Sequence, residues 1–400
     1  MTQSHVKLLV ILFWCAAIAW WVVARPGPLQ TEPLAAGTLP DGTATFWFKG
    51  NTHAHAKIEI NGWSHGNAAP AEVVQWYHDH GYHFAAITDH NRWHGGGVED
   101  VAGDDFLMLS GMEITSDHRY PGVTQDGQRR IHSTALGTKQ PLNWTFEDPS
   151  VPYIIRQHVT DAENAGGLAV LNHPNYAFQV QFQNIIDAPE LGLLEIVNAH
   201  PRANQEGHAG FRPSVETLWD ELLSSGRQVW GVAADDAHDF GWSGRLMRRF
   251  GAAPPGGAWI MVRAPKLQRE DILDALESGD FYASTGVILG DVDWRENELR
   301  VAVNPALTEA ETSLYWVEAA ATEVPSDDSH VVIEFIGVHG KRLHWTHDQY
   351  QASYSLPADQ PYMRARVTYL KKKFSFFGAD RARAFYAWTQ PVFAVNESTQ

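Results

Sequence analysis

The chain has 400 residues, 44% of them hydrophobic and 19% charged, which are the proportions of a globular protein and not of a disordered one. A formal net charge of −17 argues against a nucleic-acid polymer as partner, because binding a phosphate backbone needs clustered Lys and Arg; a small anionic substrate held by metal ions is compatible with it. With Cys15 as the single cysteine, no intrachain disulfide and no thiolate-rich zinc site can form.

Residues 8–24 are apolar, preceded by Lys7 and stopped by Arg25-Pro26-Gly27. This is at the lower limit for a membrane span and slightly long for a signal-peptide core, and Val22-Val23-Ala24 is a passable cleavage site. Residues 1–27 are therefore expected to be a signal peptide or a signal anchor. Either places the remainder outside the cytoplasm, periplasmic or secreted, released or tethered to the membrane through residues 8–24. Residues 28–45 read as a linker.

Beyond it a pattern repeats: short apolar strands run into polar, often histidine-bearing, residues. "ATFWF" leads to His53 and His55, "HFAAIT" to Asp89-His90, and "FLMLSGM" to Glu113. "IHSTALG" carries His132, "LAVLN" leads to His173, "LGLLEIVN" holds Glu195, and "QVWGVAA" leads to Asp235-Asp236-Ala237-His238. Helices are expected between several of them: "PAEVVQWYHDHG" with Pro70 in its first turn, "VPYIIRQHVTDAENAGG" and "SVETLWDELLSSG", each stopped by Gly. Alternating strands and helices predict parallel strands with helical crossovers. Seven strands, most with metal-type side chains near their C-terminal ends, favour an α/β barrel over an open sheet, since a barrel gathers its site at that end. Fifteen of the 20 histidines lie between His53 and His238, and none between 239 and 329.

From about residue 286 the pattern changes to alternating strands: "VILGDVDW", "ELRVAVN", "HVVIEFIGVHG", "YMRARVTYL" and "FYAWTQPVFAV". The expected organisation is a barrel over 46–285, closed by "REDILDALESGDFYASTG", and a smaller antiparallel β-sandwich domain over 286–400. "LKKKFSFFGADRAR" reads as a hairpin loop, with a membrane-contact patch as the other reading.

The candidate ligands are His53, His55, His65, His90, Glu113, His132, His173, Asp236 and His238. Seven imidazoles and two carboxylates without cysteine suit zinc, manganese or iron. Nine groups exceed what one tetrahedral ion takes, so two or three divalent ions are expected, with Glu113 a natural bridge between two of them. Asp89 is expected to orient a ligand imidazole. Asp236 is favoured over Asp235 because Asp-x-His places Asp236 and His238 on one face of an extended chain. His78 and His80 fall on a helix, where i and i+2 diverge, and read as surface histidines. Glu195 and Asn198 could line the pocket or make structural hydrogen bonds. His200, Arg202 and His208 could reach substrate. Arg92, Arg245, Arg248 and Arg249 read as solvated by default, with orientation of an anionic group as the other role.

Taken in order, "NTHAHA…SHG…GYHFAAITDHN…GMEIT…HSTALG…NHPN…DDAH" resembles the PHP (polymerase and histidinol phosphatase) metallohydrolase superfamily, nearest to secreted or periplasmic members related to carbaryl-hydrolase-type enzymes. The resemblance covers roughly residues 46–240. "FYASTG" and "AWTQPVF" resemble, more loosely, the β-rich extension of that branch. It implies a distorted (β/α)7 barrel and three metal sites: His53, His55, Glu113 and Asp236; Glu113, shared, with His132 and His173; and His65, His90 and His238. Ser64-His65-Gly66 stands where the family commonly has an aspartate. The implied activity is that of a metal-dependent hydrolase, foremost a phosphomonoesterase or phosphodiesterase acting on a small anionic molecule. A hydroxide shared between ions would attack, Glu113 and Asp236 would serve catalysis, and His200 or His208 is a candidate to protonate the leaving group. Hydrolysis of a carbamate, ester or amide, and a non-catalytic metal-containing envelope-binding role, are the alternatives.

Overall fold

The β-branched and aromatic run "TATFWFKG" forms the strand around which the rest is laid. The computed structural model describes residues 32–39, 41–60, 63–95, 105–116, 130–142, 148–241, 248–325, 330–373 and 381–394. The apolar segment 8–24 and the three phenylalanines near residue 375 lie outside these. Among the described residues no helix is long and apolar enough to cross a membrane.

The first part of the chain forms β1 (Leu34–Thr38), β2 (Ala44–Asn51), β3 (Ile58–Ile60), β4 (Trp63–His65), α1 (Pro70–Asp79), β5 (Phe84–Ala86), β6 (Leu107–Leu109), β7 (Gly111–Thr115) and β8 (His132–Leu136). It continues with α2 (Val151–Asn164), β9 (Leu168–Leu171), α3 (Phe182–Ile186), β10 (Leu193–Asn198), α4 (Val215–Ser224), β11 (Trp230–Ala234), β12 (Trp259–Ala264), α5 (Arg269–Ser278) and β13 (Phe281–Ser284). The helices form for local reasons. In α1, Glu72 accepts from the Ala69 N–H at 2.7 Å, Val73, Val74 and Tyr77 are buried, and Gly81 leaves with φ +75°. In α4 the Ser214 hydroxyl accepts from the Thr217 N–H at 3.1 Å.

These strands belong to two sheets. In one, β2, β5 and β6 are parallel, and β12 runs antiparallel to both β2 and β13. In the other the order is β11-β10-β9-β8-β7. Both contribute to one core: Phe48, Phe84 and Ile260 from the first meet Leu136, Val170, Leu193 and Val232 from the second, with Ile272 and Leu276 of α5 beneath. The approach of β2 to β5 is so close that a Cβ on Gly50 would lie 2.0 Å from the Phe84 ring, so glycine is required there.

The mixed α/β character is as expected; several details are not. "FLMLSGM" is two strands, β6 and β7, in different sheets, because the chain turns at Ser110. β8 is antiparallel to both β7 and β9, so the uniform parallel pattern fails there. This reversal explains why His132 lies at the start of its strand: the start of β8 is level with the end of β7, Thr115 opposite His132. Strand β12 was not anticipated, and β1 pairs with β2 inside the expected linker.

The remaining elements are β14 (Leu289–Arg295), β15 (Glu298–Val303), α6 (Pro305–Glu311), α7 (Tyr315–Ala320), β16 (Thr322–Pro325), β17 (Val331–Ile336), β18 (Arg342–His347), β19 (Gln351–Ser355), β20 (Tyr362–Lys373), β21 (Arg381–Thr389) and β22 (Val392–Phe393). β14, β15 and β19 form a three-stranded sheet. Its Leu299 and Val301 share an apolar cluster with Ile333, Phe335, Ala365 and Val367 of β17 and β20. The larger of these layers is continuous with the first sheet, because β21 pairs with β13, Tyr282 opposite Thr389.

A buried ion network ties β20 to α4. Arg364, fully buried, donates to Asp220 Oδ1 at 2.8 Å and Oδ2 at 2.7 Å, and to Glu216 at 2.8 Å. Removing one partner strands the buried charge of the others. Arg364→Ala is expected to lose about 3–5 kcal/mol of stability, read as a lower urea midpoint. A loss below about 1 kcal/mol would show that the network does not hold these elements together.

Candidate metal centre

β2 ends at Asn51, and the next residues leave in extended form, with Ala54 bridged to Ala237 beyond β11. His53 and His55 thereby point the same way, with their Nε2 atoms 3.2 Å apart. Glu113, in the middle of β7, lies between them and the opposite wall. Its Oε1 is 3.5 Å from His53 Nε2, 3.1 Å from His132 Nδ1 and 3.4 Å from His173 Nε2, and its Oε2 is 3.5 Å from His55 Nε2 and 2.7 Å from His90 Nδ1. Asp236 Oδ1 is 3.3 Å from His53 Nε2 and 3.2 Å from His55 Nε2. His238 and His65 face one another, Nε2 to Nε2, at 3.2 Å. All nine expected ligands are in one cluster, mostly buried. Four groups of three have ligand atoms within 4.8 Å of one another: His53, His55 and Asp236; His53, Glu113 and His173; His90, Glu113 and His132; His55, His65 and His90.

The residues behind the cluster were less visible in sequence. Glu195 accepts from His53 Nδ1 at 2.9 Å, from the His173 N–H at 2.7 Å and from Asn198 Nδ2 at 2.8 Å, which places it among the structural hydrogen-bonders. When His53 is neutral, the first of these bonds keeps its proton on Nδ1 and leaves Nε2 as the lone pair that faces the cluster. The His238 Nδ1–H donates to the Asp236 carbonyl at 2.8 Å, with the same effect. Asp89 accepts from the Ala56 N–H at 2.9 Å, lies 2.6 Å from His94 Nε2, and is 3.6 Å from His55 Nδ1, beyond hydrogen-bond length. Asn172, not anticipated, donates to Glu113 Oε1 at 2.9 Å; its position next to His173 was the available signal.

Asp235 is excluded from the cluster. Its carboxylate accepts from the N–H groups of Gly256, Gly257 and Ala258 and from the Tyr77 hydroxyl, at 2.7–3.0 Å. Asp236 does not follow an extended path: its φ is +50°, and His173 has φ +21°. Strain of this kind persists where surrounding bonds over-determine it, here the Asp236 N–H to the His53 carbonyl at 2.9 Å and Glu195 on the His173 N–H.

Other residues fall outside the cluster. His80 is half-buried: it stacks on Trp76 at 3.8 Å, and burial pushes it down to about 4. His78 is half-buried near Asp79 and Asp105. Arg248 is bound by the carbonyls of Ala199 and Pro254, whereas Arg92, Arg202, His208 and Arg249 are exposed. Arg245 lies outside the described residues. His200 sits at the rim, its ring 5.2 Å from that of His238 and its Nδ1 accepting from the Arg202 N–H at 3.0 Å.

The electrostatics suit cations. Burial works to raise Glu113 and Asp236, but the imidazoles around them hold both well below the usual carboxylate range. Burial opposes charge on His53 and His55 too. The carboxylates outweigh it, raising His53 well above the usual imidazole range and His55 to about 9. Burial, then the neighbouring rings, pushes His65 down to about 2 and His238 well below its ordinary value; burial likewise takes His90 to about 4. Among the described residues, no Lys or Arg pairs with Glu113 or Asp236. Imidazole nitrogens facing each other around two carboxylates that no Lys or Arg meets among the described residues, with His65 Nδ1 buried and lacking a hydrogen-bond partner, fit divalent ions.

No protein-family profile matches the chain, and no curated protein matches it. Solved structures with partial similarity include the following two. One is a two-domain protein of Bacteroides vulgatus ATCC 8482 containing a predicted PHP-like metal-dependent phosphoesterase, 14% identical, with TM-score 0.40, covering 90% of this chain and 91% of that one. The other is a candidate metal-dependent phosphoesterase of Bifidobacterium adolescentis ATCC 15703, 16% identical, with TM-score 0.31, covering 52% of this chain and 89% of that one.

Two outcomes follow for metal binding. Glu195→Gln removes the charge behind His53 and should weaken divalent-ion affinity about 10–100-fold in calorimetric titration, with the fold retained. Because His55 is protonated up to about 9 without metal, an incoming ion must displace that proton. Apparent Mn²⁺ affinity should therefore rise from neutral pH towards 9; affinity independent of pH over that range would contradict this role for His55.

Proposed function

We propose that the chain is a metal-dependent hydrolase of the PHP type, acting foremost on phosphomonoesters or phosphodiesters of small anionic molecules. The observation that carries this is the convergence of seven imidazoles on two carboxylates, Glu113 and Asp236, with ring nitrogens facing one another and Glu113 reaching both halves of the cluster. A purely structural site has no use for so many donors.

Two or three divalent ions, of zinc, manganese or iron, would be held by His53, His55, Glu113 and Asp236, by Glu113 with His132 and His173, and by His65, His90 and His238. When bound, they would supply an acidified water as nucleophile and positive charge for the developing phosphoryl oxygens. The chain's own residues do the positioning. Glu195 and the Asp236 carbonyl fix the ring nitrogens that face inward. Asn172 holds the Glu113 carboxylate through its bond to Oε1. His200, kept neutral by burial and accepting at Nδ1, carries its proton on Nε2, the form that donates a hydrogen bond to an anionic oxygen. The described residues need supply no covalent nucleophile.

The same reading includes a distorted (β/α)7 barrel made by the two sheets around their shared core, over about 46–285, with residues 286–400 as a β-rich second domain. It places the protein in the branch related to carbaryl-hydrolase-type enzymes, and outside the cytoplasm, exported or anchored by residues 1–27. Carbamate, ester or amide hydrolysis is the second activity of the same site.

A hydrolysis screen of metal-loaded protein tests the activity. Turnover of p-nitrophenyl phosphate or bis-p-nitrophenyl phosphate is expected, lost on chelation and restored by Mn²⁺ or Zn²⁺. Glu113→Gln should lower it at least about a hundredfold at saturating metal. Turnover of p-nitrophenyl acetate alone would move the assignment to the carboxylic-ester reading, and wild-type turnover by Glu113→Gln would remove the site.

A further inference from the structure

The cluster is electrically lopsided. On one side Glu113, Asp236 and Glu195 all lie within 3.5 Å of ring nitrogens of His53, and Glu113 is 3.4 Å from His173. On the other side His55, His65 and His90 bring their ligand atoms within 4.8 Å of one another with no carboxylate in the group. His238 joins them through His65. The carboxylate atoms nearest to these rings are Glu113 Oε2, 2.7 Å from His90 and 3.5 Å from His55, and Asp236 Oδ1, 3.2 Å from His55 and 3.7 Å from His238; among the described residues none lies within 4 Å of His65. Both carboxylates are already engaged with the first side. A set of neutral imidazoles offers a dication donors but little opposing charge.

His65 also lacks a support that the other two rings of the subsite have. The Nδ1 of His90 lies 2.6 Å from Thr115 Oγ1, and that of His238 is tied to a backbone carbonyl. His65 Nδ1 has no hydrogen-bond partner among the described residues; the Nδ1 of His55 has none either, but His55 is fully buried. Nothing therefore fixes which of the His65 nitrogens turns inward, and such support is worth about 10–100-fold in metal affinity. His65 is also carried by the β3–β4 hairpin, a two-stranded sheet of its own joined to neither large sheet, and it is only half-buried.

We infer that the subsite of His65, His90 and His238 holds its ion loosely and fills together with an anionic ligand, whose oxygens bring the negative charge that the imidazoles lack. The inference rests on the reading of the cluster as a multinuclear metal centre. It makes the protein an enzyme with two resident ions and one that arrives with substrate. Activity would then depend on free metal concentration even when the resident ions are saturated.

The test counts metal without reading turnover. Full-length Mn²⁺-loaded protein is dialysed against low free Mn²⁺, with and without inorganic phosphate at constant ionic strength, and ions per chain are measured by elemental analysis. About two ions are expected without phosphate and about one more with it. His65→Ala, and separately His65→Gln, should keep the resident ions and lose the phosphate-dependent one. Three ions retained without phosphate, no gain with phosphate, or a gain unaffected by both variants would overturn the inference while leaving the metal centre intact. Fewer than two ions under all conditions would overturn the metal-centre reading itself, and the inference with it.

Discussion

The structure depends on one electrostatic constraint: two buried carboxylates, Glu113 and Asp236, have no Lys or Arg partner among the described residues. Leaving a charge buried and uncompensated costs several kcal/mol, so the charge must be met from within the cluster. Without ions, protons on His53 and His55 meet part of it. The fold around the cluster serves this one requirement, that imidazoles from five different strands and loops come within about 4 Å of two carboxylates, with His65 of β4 beside them.

The reversal of β8 is the topological answer. In a uniformly parallel arrangement, a histidine at the start of a strand would lie at the end remote from the site. Because β8 runs antiparallel between β7 and β9, its start meets their ends, and His132 joins Glu113 and His173. The backbone answer is strain at His173 and Asp236, each held in the left-handed region at a cost of about 1–3 kcal/mol. Hydrogen bonds from the His173 N–H to Glu195 and from the Asp236 N–H to the His53 carbonyl offset it. Asp235 contributes from outside: by collecting three backbone N–H groups and a tyrosine hydroxyl, it fixes the turn at 256–258 against the end of β11.

The C-terminal strands are part of the same support. β21 extends the sheet that contains β2, and Arg364 of β20 anchors α4, the helix that precedes β11 and therefore Asp236 and His238. Glu113 and His132 sit on strands, and most of the other cluster residues sit on loops that leave strands of the two sheets.

By itself the sequence determined which residues form the cluster and most of the strands that carry them. An apolar run ending in a polar donor is a local pattern, and the ligand types follow from residue chemistry alone. His-x-His, Asp-His and Asp-x-His were readable at that level, as was the helix from Pro70 to Asp79. Strand direction was not readable, because β8 has the same apolar composition whichever way it pairs. The split of "FLMLSGM" between two sheets and the insertion of β12 are likewise pairing choices, made by neighbours distant in the chain. The choice of Asp236 over Asp235 was reached from an extended-chain argument that the φ of +50° does not support; what decides it is the set of backbone donors from residues 256–258 that claims Asp235. Glu195, Asn172 and the unsupported ring of His65 belong to the same class. Their roles are contacts between residues far apart in sequence, and only the tertiary structure brings those atoms within hydrogen-bond distance.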